Sequence, residues 1–248
     1  KETRKMSRSE RQRLILELLQ KCRFISVAEL SQLLYTSPSS IRRDLSVLEA
    51  QQLVRRNHGG VTLYEDERRA LNFEVRIRKN IVGKKRIAKK ASALLKDNLS
   101  VMLDGSSSAM YLIPYLKEHK GITVFSNNIK TVSDAIEAGI RTYCIGGEAI
   151  DQYAVLSGSY ADEMAEKLYV DILFFSSQCL SDEGEITDSS ESENRLRKIM
   201  LRNAAKTVFL CDGDKIGKRA LHKLCSVSEV DYAFFDQERY TQKFSSIS

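Results

Sequence analysis

The sequence predicts an α/β protein in two parts, an N-terminal winged helix-turn-helix and a C-terminal α/β domain built on a parallel sheet. Three observations carry that expectation. A polar helix start, Ser37-Pro38-Ser39-Ser40, runs into Ile41-Arg42-Arg43-Asp44-Leu45, and a short run with a Gly-Gly pair follows, Arg55-Arg56-Asn57-His58-Gly59-Gly60. From Ser100 onward short apolar runs alternate with helical stretches, the pattern of strands joined by helical crossovers. Charge is also unevenly spread: residues 1–64 hold 12 Lys/Arg against 6 Asp/Glu, and residues 65–248 hold 27 against 27. The whole net charge of +6 therefore falls in the first part, which points to one nucleic-acid-facing domain and one neutral domain.

A chain of 248 residues accommodates two domains. No window approaches the ~18 uninterrupted apolar residues of a membrane span, and the Lys/Arg-rich start has no apolar signal core. The five cysteines (Cys22, Cys144, Cys179, Cys211, Cys225) are scattered and odd in number. That pattern fits reduced thiols and a cytoplasmic location better than disulfides or zinc.

In the first part, Ser9 with Gln12 makes a candidate capping box, ahead of Leu14, Ile15, Leu18 and Leu19 on one helical face. Ser26 with Glu29 repeats the signature before Leu30, Leu33 and Leu34. Ser37 offers a third N-cap with Pro38 at the first helical position. In that third helix Ile41, Leu45 and Leu48 define a buried face. Ser39 and Arg43 point nearly opposite it, Arg42 lies on its flank and Ser40 sits near the start. The N-terminal half of such a helix enters the major groove. Arginine there reads guanine edges or clamps phosphates, and serine contacts either. Asp44 is expected to pair with a neighbouring arginine or to cap locally.

Residues 53–63 read as a β-hairpin turning at Gly59-Gly60, with Arg55, Arg56 and His58 along the wing. The expected DNA contacts are Ser37, Ser39, Ser40, Arg42, Arg43, Arg55, Arg56, His58 and Gly59. Residues 1–64 thus form the DNA-binding domain, the charge-dense residues 65–80 a linker whose Leu71, Phe73 and Val75 dock on one domain, and residues 81–248 the second domain. A helix over 81–96 opens it, and Gly83-Lys84-Lys85 within that helix is not a phosphate loop, because the upstream strand and further glycines are missing.

Strands are predicted at 101–103, 122–125, 141–145, 170–175 and 207–210, and helices at 108–118, 129–138, 161–168 and 191–204, with a kink or early end at Pro114. A small, polar loop follows every strand: Asp104-Gly105-Ser106-Ser107-Ser108, Ser126-Asn127-Asn128, Gly146-Gly147, Ser176-Ser177-Gln178 and Cys211-Asp212-Gly213-Asp214-Lys215. In an open α/β sheet these carboxyl ends form the ligand crevice, where backbone N–H groups favour an anion such as phosphate. Gly105 permits close approach, Ser106, Ser107 and Ser108 supply hydroxyls, Lys215 a point charge, and Asp104 and Asp171 acceptors for sugar hydroxyls. Any one such loop is explained by tight turns alone; five together favour a site. The expected effector contacts are Asp104, Gly105, Ser106, Ser107, Ser108, Ser126, Asn127, Asn128, Gly146, Gly147, Asp171 and Lys215.

Ser40-Ile41-Arg42-Arg43-Asp44-Leu45, Leu48-Glu49 and Arg56-Asn57-His58-Gly59-Gly60-Val61, in this order and spacing, resemble the signature of the DeoR family of bacterial transcription regulators. The likeness continues through Asp104-Gly105-Ser106-Ser107, Ser126-Asn127, Gly146-Gly147, Ser157-Gly158 and Asp212-Gly213-Asp214-Lys215, and through a helix from Glu193 to Met200 where Arg197 stands in place of the family's Lys. Departures are Gln51-Gln52, Ser176-Ser177-Gln178 and Gly213-Asp214. The resemblance implies an effector domain similar to ribose-5-phosphate isomerase and coenzyme A transferases. It further implies a repressor of carbohydrate metabolism genes, binding a double-stranded operator as a homodimer or higher oligomer and controlled by a phosphorylated sugar. No cofactor, metal or membrane partner is expected: Cys211 and Asp212 near His222 and Cys225 could be imagined as a metal site, but Cys211 and Cys225 read as small packing residues and His222 as a surface residue. The alternative is a phosphosugar isomerase with an appended DNA module, using Asp104, Asp171, Asp212 and Lys215 as acid–base groups; no histidine lies in these loops, His119 and His222 falling elsewhere.

Overall fold

The computed structural model describes residues 7–21, 24–51, 53–57, 60–63, 73–150 and 155–245. Two compact units divide between Lys79 and Asn80. The expected contacts His58 and Gly59, and the docking residue Leu71, lie outside the described residues.

The first unit contains α1 (Arg8–Lys21), β1 (Ile25–Ser26), α2 (Val27–Leu33), α3 (Pro38–Ala50), β2 (Val54–Asn57), β3 (Gly60–Leu63) and α4 (Phe73–Arg78). Ser7, not Ser9, caps α1, its Oγ accepting from the Glu10 amide at 3.2 Å. The buried side chains of α1 are Ile15, Leu16 and Leu19, with Leu14 and Leu18 only partly covered. The Ser26/Glu29 capping box forms as expected at α2, while Leu33 is exposed. The hairpin of β2 and β3 gains β1 as a third antiparallel strand, Ser26 lying opposite Gly60. Glycine is required at 60 because a Cβ there would stand 2.6 Å from the Ile25 carbonyl oxygen. Helix α4 falls inside the segment expected to be a linker, and Phe73 and Val75 are buried.

In the second unit, α5 (Ile81–Ala91) ends in a 3-10 turn (Ser92–Leu94) and precedes β4 (Ser100–Leu103). There follow α6 (Ser107–Met110), α7 (Ile113–Leu116), β5 (Thr123–Ser126), α8 (Ile129–Glu137), β6 (Arg141–Cys144), β7 (Glu148–Ala149), β8 (Leu156–Ser157) and α9 (Ser159–Glu166). The remainder is β9 (Ile172–Phe175), β10 (Cys179–Leu180), β11 (Glu185–Asp188), α10 (Glu191–Arg202), β12 (Thr207–Cys211), β13 (His222–Ser226), β14 (Tyr232–Phe235) and α11 (Glu238–Ser245). The helix expected over 108–118 is two short ones, with Pro114 in the first turn of the second, where its missing N–H costs nothing.

Six strands form one sheet in the order β14-β12-β9-β4-β5-β6, and every pairing is parallel. Alternate residues of its strands enter opposite cores. Val101, Leu103, Ile172, Phe174, Val208 and Leu210 meet α5 to α8, packing on Ile87, Ala88, Leu112 and Leu116. Met102, Leu173, Phe175, Phe209 and Cys211 meet α9 to α11 and the small sheet β10-β11-β13, packing on Leu196, Met200, Phe244 and Ile186. Burial on both faces is why these strands read as unbroken apolar runs. Among the sheet's own strands the order counts 3-2-1-4-5-6, so the direction in which successive strands are added reverses between β4 and β9. That is the switch point at which a doubly wound sheet opens a crevice above its carboxyl ends. Cys144, Cys179, Cys211 and Cys225 are free thiols.

Candidate functional site

Helix α3 is built to present a polar face. Ser37 takes extended backbone angles and its Oγ accepts from the Ser40 amide at 3.3 Å, so this hydroxyl acts first as the helix cap. Ile41, Leu45 and Leu48 are buried, and Ser39, Arg42, Arg43 and Ser46 are exposed on the other side. Arg43 Nε lies 3.4 Å from the Ser39 carbonyl oxygen. Asp44 faces inward, 1% exposed, and pairs with Arg11 and Arg8 of α1 rather than with a neighbour on its own helix. The pair ties α1 to the back of α3 and keeps a carboxylate away from the exposed arginines.

On the wing, Arg55 and Arg56 are both exposed but differ in engagement. Arg56 Nη1 donates to Ser46 Oγ at 2.9 Å and lies 3.8 Å from Glu49 Oε2, while its amide donates to Glu49 Oε1 at 3.1 Å. Arg56 therefore joins wing to helix. The surface assembled from described residues is Ser39, Ser40, Arg42, Arg43 and Arg55.

The second site gathers at the carboxyl ends of β4, β5, β9 and β12. Asp104 is fully buried. Its Oδ1 accepts from the Ser106 amide at 3.1 Å, and its Oδ2 accepts from the Ser176 amide at 3.3 Å and from Arg197 Nε at 3.0 Å. Arg197 is the residue that the loop reading missed. Its guanidinium also reaches Asp188 Oδ2 at 3.0 Å, Glu193 Oε2 at 2.7 Å and Asn194 Oδ1 at 3.3 Å. Burial opposes its charge, but Asp188, Glu193 and Asp104 outweigh burial and raise its pKa, so it stays cationic. Asp104 thus anchors the loops across the β4/β9 switch point, with both oxygens already engaged.

Around that anchor, Ser106 Oγ caps α6 by accepting from the Ala109 amide at 3.2 Å, and Ser107 is 4% exposed. Asn128 Oδ1 caps α8 by accepting from Thr131 at 2.9 Å, and Ser126 Oγ accepts from the Asn128 amide at 3.2 Å. Gly105 is a close-approach position, as expected, but the group that approaches is Val155: a Cβ at 105 would meet its Cγ1 at 2.7 Å. Leu156 fastens the same segment, its amide donating to the Asn127 carbonyl at 2.7 Å and its carbonyl accepting from Asn127 Nδ2 at 2.8 Å. Gly147 has φ +140° and a Cβ there would lie 2.4 Å from the Ser157 carbonyl oxygen, so it serves packing, whereas Gly146 faces open space. Two buried atoms in this cluster, Ser108 Oγ and Asn127 Oδ1, have no hydrogen-bond partner among the described residues. Lys215 Nζ donates to Ser176 Oγ at 2.7 Å and lies 3.7 Å from Asp212 Oδ2.

Asp171 is a correction. It precedes β9 and so sits at the sheet's amino ends, away from the other loops, where its Oδ2 accepts from the Ser100 hydroxyl at 2.6 Å and the Ser100 amide at 2.7 Å. Those bonds hold its carboxyl below the usual range, and its role is to join two strand starts. Among the described residues, no group of three or more His, Cys, Asp or Glu side chains is arranged to hold a metal ion, and no helix is long and apolar enough to cross a membrane.

Family models match both units. Residues 11–67 match the DeoR-like helix-turn-helix domain and residues 79–237 the DeoR C terminal sensor domain. The chain belongs to the DeoR family. It is a DNA-binding transcriptional regulator, as its motifs imply. DeoR-family relatives include the HTH-type transcriptional regulator GolR of Listeria innocua, 31% identical over 92% of this chain and 91% of the relative. The L-fucose operon activator of Haemophilus influenzae is 28% identical over 92% and 91%, and the lactose phosphotransferase system repressor of Staphylococcus aureus 27% over 94% of each. Among solved structures, the chain is similar to ribose 5-phosphate isomerase A of Methanocaldococcus jannaschii, with a TM-score of 0.41, 21% identity and coverage of 56% and 55%.

Proposed function

We propose that this regulator is a repressor of carbohydrate metabolism genes whose operator affinity is set by a phosphorylated sugar held at the carboxyl ends of β4, β5 and β12. One observation carries the effector reading. Ser108 Oγ, in the first turn of α6, and Asn127 Oδ1, in the loop after β5, are buried without hydrogen-bond partners among the described residues, whereas most buried polar atoms in proteins are paired. A polyhydroxylated ligand supplies the missing donor and acceptor, and Lys215 supplies charge for a phosphate. Asp104 and Arg197 position these loops. Ser106, Ser107, Asn128 and Gly146 complete the candidate contacts.

At the DNA, Ser39, Ser40, Arg42 and Arg43 meet the major groove and Arg55 the flanking phosphates. One module of this size offers few contacts, so a homodimer or higher oligomer on repeated half-sites is the expected binding species. Repression is the sign in the name of the lactose phosphotransferase system relative, whereas the L-fucose operon relative is named an activator, so the sign of control is part of the proposal.

Sensing is favoured over turnover because both oxygens of Asp104 accept hydrogen bonds from fixed donors, an arrangement that serves anchoring better than proton abstraction. Thermal-shift titration with hexose and pentose phosphates tests the site. The expected result is a concentration-dependent rise in Tm that Ser108→Ala and Lys215→Gln abolish. Conversion of ribose 5-phosphate well above a Lys215→Ala control would establish an isomerase instead.

A further inference from the structure

We propose that Asn80 couples the effector crevice to the chain that leads into the DNA-binding unit; the inference rests on reading the Lys215 crevice as the effector site. Asn80 is the first residue of the second unit and takes a left-handed conformation, φ 49° and ψ 47°. Its side chain does three things at once. Oδ1 accepts from the Gly83 amide at 3.2 Å, capping α5, while Nδ2 lies 3.5 Å from both Asp212 Oδ1 and Asp236 Oδ2. A Cβ at position 83 would stand 2.6 Å from Asn80 Oδ1, so Gly83 leaves that side chain its place.

The two carboxylates belong to the sheet ends. Asp236 Oδ1 accepts from the Gly213 amide at 3.0 Å. Asp212 shares the ammonium of Lys215, which also donates to Ser176 Oγ, and the Ser176 amide donates to Asp104. A continuous polar line therefore runs from Asp104 through Ser176, Lys215 and Asp212 to Asn80. An anion bound by Lys215 competes with Asp212 for one ammonium. That changes the charge facing the Asn80 amide, and the amide helps hold a backbone conformation that most residues avoid. Arg86 and Lys90 fasten α5 to the same strand end through the carbonyls of Asp236 and Phe235.

A double-mutant cycle on the full chain tests the coupling without a ligand. Asn80→Gly keeps the left-handed backbone accessible and removes the amide. In the parent, Lys215→Met should raise hydrogen exchange at the Gly83 amide about tenfold; in Asn80→Gly it should add less than twofold. Independent, multiplying effects would overturn the proposal. A second arm uses glucose 6-phosphate, fructose 1-phosphate and tagatose 6-phosphate. Asn80→Gly should bind the active sugar phosphate and the operator within threefold of the parent, yet lose the ligand's effect on operator affinity. Retention of that effect would equally overturn the coupling. If none of the three binds the parent, the effector reading fails for them, and the exchange cycle alone decides the relay.

Discussion

Arg197 sits 3% exposed with Asp104, Asp188 and Glu193 around one guanidinium. Removing the cation leaves three buried carboxylates facing one another, whereas a lysine keeps the charge and gives up the fork. Arg197→Met should cost about 3–5 kcal/mol in urea unfolding and Arg197→Lys clearly less; equal losses would mean that the charge is not what matters. Arg43 belongs to the opposite class, exposed and on the polar face of α3. Arg43→Ala should leave Tm unchanged and weaken operator binding at fixed salt by about 1–3 kcal/mol, read by fluorescence anisotropy. Unchanged affinity would remove it from the contact set. Legibility differs at these positions for a physical reason. Arg43 declares itself by its angle from Ile41 and Leu45 on one helix, a local property. Arg197 meets Asp104 across 93 residues, so its partner depends on strand order, which periodicity does not carry. Asp171 is a different case: it precedes its apolar run whereas Asp104 follows one, and in a parallel sheet that order alone puts the two at opposite ends.

Elements were legible where one periodic signal was long enough. The five apolar runs became β4, β5, β6, β9 and β12 within a residue or two, and the caps Ser26 and Ser37 mark the starts of α2 and α3. The small antiparallel sheet β10-β11-β13 escaped notice, since its short segments make no pattern of their own, and so did β14, the sixth strand of the parallel sheet. Ser9 was the wrong cap because Ser7, two residues earlier, satisfies the same amide ladder. Two element-scale devices give predictions. The Asp44 carboxylate ties α3 to α1 while 2% exposed, so Asp44→Ala should destabilise the N-terminal unit by about 3 kcal/mol and weaken operator binding indirectly. An N-terminal unit of unchanged Tm would contradict this. Asp171 grips the first residue of β4, and Asp231 grips Thr207 at the first residue of β12 in the same way. Ser100 lowers the Asp171 pKa on folding, so its contribution is present above the ordinary carboxylate range and lost as pH falls through the lowered value. Asp171→Ala should cost about 1 kcal/mol at pH 7, solvent exposure limiting the figure. The gap to the parent should close as pH falls below about 3.9; a pH-independent gap would assign the cost to packing.

At the scale of the molecule, two units of different chemistry share one chain. The first holds the excess of positive charge, with Arg42, Arg43 and Arg55 exposed, and the second is close to neutral and gathers Asp104, Ser108, Asn127 and Lys215 at the carboxyl ends of its sheet. This division was visible in the charge distribution and the alternating pattern before any contact was known, because both are averages over many residues. What the averages could not supply is the switch point between β4 and β9, which explains why these loops and not others converge. The central claim is that a ligand at those loops changes binding at α3. Operator affinity of the full chain, measured by anisotropy at fixed salt with and without a sugar phosphate that raises Tm, tests it most directly. The account predicts at least a tenfold change in affinity, about 1.4 kcal/mol of coupling, that disappears in Lys215→Gln. A sugar phosphate that stabilises the protein yet leaves operator affinity untouched would contradict it.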